Sequence, residues 1–228
     1  MRFFGHLTEK PWLPAQGRID DLHDGAAFSL PKAELALRIF LAVVTVLFML
    51  LTIAYAERMV AESWRPAPPL RLLWLNTGML VLASAAFQWA KIGVDRAESS
   101  PLSRPREMEH VKWGLIAAGV FGSAFLGGQM VAWWQLNSMP SFDITHPAVA
   151  FFCLITGLHA LHMLGGLVAW GGTATRLSDD VDLARLRLSV RLCAIYWHYL
   201  LAVWLVLFGL LFSGDENLGF LLAICGLK

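Results

Sequence analysis

TGLHALHMLGGLVAW, residues 156–170, is the stretch whose reading decides the fold. It sets two histidines and three glycines inside a run that is otherwise apolar and long enough for a membrane helix. Polar side chains at such a position are costly unless something pairs with them. At 100° per residue, His159 and His162 stand about 60° apart, and Gly166 and Trp170 fall near the azimuth of His159. One helix face is therefore polar, small and aromatic. It is expected to meet protein, because lipid offers an imidazole no partner.

The rest of the chain agrees with a membrane location. Hydrophobic residues make up 57% of its 228 residues, charged residues only 15%, and the mean hydropathy is +0.58. Such a chain is too apolar for an ordinary soluble domain. A net charge of +1 gives no footprint for nucleic acid. The three cysteines, Cys153, Cys193 and Cys225, are widely spaced and read as small hydrophobes rather than as a disulfide or metal set.

In chain order, residues 1–32 form a polar segment without the early apolar core of a signal peptide. An uncharged core of 18 residues, Ile39–Ala56, follows and just spans a bilayer. Apolar runs then predict helices at about 33–60, 71–91, 112–137, 146–173 and 190–212, the first two as an antiparallel hairpin and 92–111 as an aqueous loop. The expected fold is all-α, an integral membrane bundle of five transmembrane helices over 33–213, with a short apolar segment at 214–228. Fourteen of the 18 basic residues fall in segments 1–38, 91–112 and 174–191. The four others are Arg58, Arg65, Arg71 and Lys228. This split puts the N-terminus in the cytoplasm and the C-terminus outside.

Depth along the helices sets His162 and His198 at a similar level. Two readings follow: a hydrogen-bonded pair or shared contact to a third helix, or axial ligation of a haem or another metal. No Cys-x-x-Cys-His, no cysteine and histidine cluster and no neighbouring carboxylate supports the second. His146 reads as interfacial, and His6, His23 and His110 as aqueous. Gly119, Ser123 and Gly127 recur at four-residue spacing, which suits close helix approach within the chain or to another subunit. Gln129 is an amide deep enough to need a partner. Trp64, Trp74, Trp113, Trp133, Trp134 and Trp170 lie near helix ends, as a headgroup belt would. The helix interiors carry no Asp, Glu, Lys or Arg, which argues against an ion path or a transporter.

FFCLITGLHALHMLGG (151–166) and YWHYLLAVW (196–204), preceded by FLGGQMVAW (125–133) and LWLNTGMLVLASAAFQWA (73–90), resemble subunit III of the haem-copper respiratory oxidases. The similarity runs from about residue 35 to 212, in the short five-helix bacterial form. It implies an accessory subunit with no cofactor of its own in the bacterial inner membrane. Haems and copper belong to partner subunits I and II, which reduce oxygen with cytochrome c or quinol, and phospholipid is held between helices. His159, His162, His198, Gln129 and Asn76 match family positions. Val44 stands where many members have a buried glutamate, so no role of that glutamate is carried over. Leu201 and Ala132 also replace acids found in some members. The alternatives are a subunit-III-like accessory protein of a nitric-oxide reductase and a bis-histidine haem-b anchor built on His162 and His198.

Overall fold

The computed structural model describes residues 32–59, 71–100, 102–138, 147–175 and 183–212. The described residues form five helices and no strand: α1 (Lys32–Met59), α2 (Leu72–Ser99), α3 (Arg104–Asn137), α4 (Pro147–Thr175) and α5 (Leu183–Phe212). All five are long and apolar enough to cross a membrane. Residues 1–31, with His6 and His23, and 213–228, which take in all but Lys32 of the expected polar segment 1–32 and the whole of the expected apolar segment 214–228, lie outside the described residues, as do Trp64 and His146.

Two compact units divide the chain, Met1–Phe40 and Leu41–Lys228. In the first, the described residues are the opening turns of α1, where Arg38 donates to the Glu34 carboxylate four residues earlier at 2.6 Å. In the second, α2 packs on α3, α3 on α4, α4 on α5, and α5 back on α2. Four helices thus close a ring. Its interior is filled by Leu80 and Phe87 of α2, Phe125 of α3, Met163 of α4 and Trp197 and Trp204 of α5.

The antiparallel hairpin expected of the first two helices is formed by α2 and α3 instead. A connection of four residues joins them, and small residues line the seam. A Cβ on Gly114 would lie 2.9 Å from that of Ala90, and one on Gly93 would lie 3.0 Å from the Val111 side chain. Bulkier residues would hold the two axes apart. α1 takes part in none of the ring's close pairings. From Leu41 onward it leans on the ring through Val44, Phe48 and Tyr55, which cluster with Ile155 of α4 and Leu207 and Leu210 of α5. Thr45 and Tyr199 share a hydrogen bond of 2.9 Å across the same junction.

The expected aqueous loop at 92–111 is also mostly helix. α2 runs to Ser99 and α3 starts at Arg104, because Glu, Arg and Ala favour helix whatever the solvent. The charges beyond the apolar run appear as surface pairs: Arg187 of α5 donates to Asp95 at 2.8 Å and also pairs with Glu98, both on α2. All three are more than two-fifths exposed. Such pairs are worth under about 1 kcal/mol. Arg187→Ala is therefore expected to leave stability in mixed micelles almost unchanged, and a loss several times larger would show that the pair carries ring closure.

Candidate functional site

The interior of the ring holds the residues singled out in the sequence, and each is positioned by a different helix. His159 of α4 is fully buried, with Phe125 of α3 edge-on at 5.7 Å, Trp204 of α5 at 5.2 Å and Phe48 of α1 at 6.2 Å between ring centroids. Neither of its nitrogens has a hydrogen-bond partner among the described residues. Asn76 of α2 is sealed at the α2–α3 seam, its Oδ1 lying where a Cβ on Gly128 would be. Gln129, the next residue on α3, is also buried, and the side-chain amides of both lack hydrogen-bond partners among the described residues. Phe125, one turn from Gln129, touches His159, so the three polar side chains occupy neighbouring levels of one interior.

Around them Trp204, Trp133, Trp170 and Tyr196 find partners, whereas the buried Trp197 Nε1 has none among the described residues. Trp204 Nε1 donates to the Thr77 hydroxyl of α2 at 2.9 Å, and Trp133 Nε1 donates to the Thr156 hydroxyl of α4 at 3.0 Å. The threonine hydroxyls donate in turn to carbonyls one turn back, Thr77 to Leu73 and Thr156 to Phe152. This is how a helix side chain can be both donor and acceptor without leaving the membrane. The indole of Trp170 occupies the space beside Gly119 and donates to the Leu115 carbonyl at 2.8 Å. Tyr196 covers Gly166, where a Cβ would meet its ring at 2.9 Å, and donates from its hydroxyl to the His162 carbonyl at 2.9 Å. The face of α4 carrying His159, Gly166 and Trp170 thus points into protein.

The stripe of Gly119, Ser123 and Gly127 is divided by the structure. Gly119 is buried under Trp170, whereas Ser123 and Gly127 lie on exposed surface, and no described residue lies within 4 Å of a Cβ placed on Gly127. The glycine that serves the ring is Gly122, against which Trp197 of α5 packs. Two tryptophans of the expected belt are also relocated: Trp133 and Trp170 turn inward to their hydrogen bonds, while Trp74, Trp113 and Trp134 remain exposed.

His162 and His198 do not form the expected pair through the hydrogen bonds that hold them. His162 donates from Nδ1 to the Leu158 carbonyl at 2.8 Å, on its own helix. His198 faces α2, where Ser84 bonds Nδ1 and Nε2 donates to the Gln88 Oε1 at 3.1 Å. With both nitrogens engaged, His198 offers no lone pair to an axial haem position. Among the described residues no three or more His, Cys, Asp or Glu side chains come together to hold a metal. Ser84, Gln88, Trp197 and Trp204 were not singled out from sequence as site residues. The seven-residue spacing of the two tryptophans, which puts both on one face of α5, was the available signal.

A buried imidazole without partners carries a desolvation cost that an isosteric hydrocarbon avoids. His159→Phe is accordingly expected to leave stability unchanged or to raise it by about 1–2 kcal/mol. Unfolding of the purified chain by sodium dodecyl sulfate in mixed micelles would read this, and a clear loss would reveal a partner for the ring.

These features define the class: a multi-pass helical membrane protein with a sealed aromatic and polar interior. No family model matches the chain. It is 28% identical to cytochrome c oxidase subunit 3 of Synechocystis over 180 residues, covering 76% of this chain and 72% of that protein. It is 26% identical to cytochrome c oxidase subunit 3 of Thermostichus vulcanus over 200 residues, covering 85% and 91%. It is 27% identical to a probable cytochrome c oxidase subunit 3 of Mycobacterium leprae over 160 residues, covering 69% and 74%. Over most of its length the chain is thus similar to proteins named cytochrome c oxidase subunit 3.

Proposed function

We propose that the chain is the accessory subunit III of a terminal respiratory oxidase. It packs beside haem-copper subunit I, with subunit II in the same complex, in a bacterial inner membrane. Its N-terminus is cytoplasmic and its C-terminus outside. The observation that carries this reading is the similarity to proteins named cytochrome c oxidase subunit 3 across most of the chain and most of theirs. The chain itself performs no redox step; haems and copper reside in the partners, which reduce oxygen with electrons from cytochrome c or quinol. Asn76, Gln129, Gly119, Gly166, His159 and His162 give the bundle its internal fit. Ser123, Gly127 and His198 face outward, toward neighbouring subunits or lipid. The groove between α1 and α5, about 420 Å³ and lined by Thr45, Phe48, Met49, Tyr199 and Val206, suits a phospholipid acyl chain.

A tagged chain extracted from its native membrane in mild detergent tests the proposal. Recovery of a many-helix haem-copper subunit and a second subunit with a copper or quinol domain is the expected result. Recovery of nitric-oxide reductase subunits, or of this chain alone, would overturn it.

A further inference from the structure

A polar patch lies on the outer surface of the ring of helices, at the α2–α5 junction. His198 is exposed although it lies in a stretch of α5, residues 192–212, without Asp, Glu, Lys or Arg. Its imidazole is held from α2 on both sides, by the Ser84 hydroxyl and by the Gln88 side-chain oxygen. This fixes Gln88 with its oxygen occupied, and its amide nitrogen has no acceptor among the described residues. Lys91, three residues on and therefore on the same face of α2, is half-buried and has no ion-pair partner among the described residues. The acids closest to it in sequence on α2, Asp95 and Glu98, are taken by Arg187.

An ammonium and an amide on one outward face, with no acceptor among the described residues, cannot be satisfied by lipid tails. We infer that this α2–α5 face receives a membrane-spanning helix of a partner subunit, which presents a carboxylate to Lys91 and Gln88. A lipid phosphate could reach Lys91 at headgroup level. Gln88 lies roughly 4.5 Å deeper along α2, in a run from residue 72 to 90 without charge, where a carboxylate carried on a packed helix reaches both donors. Val81, Ile92 and Leu205, all exposed and apolar, flank the patch and supply the packing surface. The inference rests on the subunit reading above and adds to it the face and the chemistry of contact.

The test uses the complex from native membranes, with a photoreactive benzophenone side chain placed at Leu205 on this face or at Leu161 on exposed α4. Cross-linking from Leu205 to a transmembrane peptide containing Asp or Glu is expected. Lys91→Gln should lower retention of the partner through detergent washing by about tenfold, with Lys91→Arg restoring it. A partner that copurifies but is reached only from Leu161 would overturn the inference and leave the subunit reading standing. Lipid adducts alone at Leu205 would overturn it in favour of a headgroup. Purification of the chain with no partner would overturn both.

Discussion

Trp204→Ala is expected to destabilise the bundle by about 3–5 kcal/mol, the range for emptying a fully buried tryptophan site. The indole is completely inaccessible, stacks edge-on to Phe125 at 4.9 Å and leans on His159 at 5.2 Å. Its removal opens a cavity where α2, α3, α4 and α5 meet, and it strips Thr77 of its donor. Thr77 keeps its own bond to the Leu73 carbonyl, so most of the loss comes from packing rather than from the hydrogen bond. Dodecyl sulfate unfolding of the purified chain measures the effect, and Trp204→Phe should recover over half of it. A loss below about 1 kcal/mol would mean that the ring tolerates a void at its centre.

The second large effect lies at the α3–α5 contact. Gly122→Leu is expected to prevent the native closure of α5 on the ring, because even a Cβ at this position would fall inside the Trp197 indole. Overpacking of this kind costs about 1–3 kcal/mol where neighbours can shift, and more where they cannot. Trp197 cannot shift easily: it is fully buried, with Phe87 tilted against it at 4.9 Å. Gly127→Leu is the matching control. No described residue lies within 4 Å of a Cβ placed there, and the same substitution should leave the isolated chain's stability unchanged or raise it by up to about 1 kcal/mol, since leucine favours helix over glycine. Equal losses from both substitutions would show that the close contact of Gly122 with Trp197 does not set the cost.

The number of spans was legible because it depends on long uncharged runs, which bilayer thickness converts directly into helices. Their pairing was not legible. Neighbours in sequence were expected to pair first, yet α1 stands outside the ring while α2 and α3 form the hairpin. The decisive signal is the placement of Gly93, Ala90 and Gly114, and its meaning appears only when two helices are set face to face. Depth likewise brought His162 and His198 to a common level, but depth does not specify azimuth. The hydrogen bonds of Ser84 and Gln88 show that His198 turns to α2. Small-residue spacing likewise does not say which neighbour each position meets. Gly119 and Gly127 share the motif, and only the first is covered by an aromatic ring from another helix.

Closure of the ring has a consequence for how the protein is made. The contact that completes it joins α2 to α5, the last of the five helices to leave the ribosome. Until α5 is inserted, the inward faces bearing Asn76, Gln129 and His159 have no Trp197 or Trp204 to cover them, and the hydrocarbon around them offers no hydrogen bonds. The hairpin of α2 and α3 can form early, since four residues join it, but the interior it prepares stays open through the synthesis of α4 and most of α5. During that interval, the half-built bundle is a polar cleft in the bilayer. An insertion factor that shields such clefts would have its greatest effect there, after α4 has entered and before α5 has.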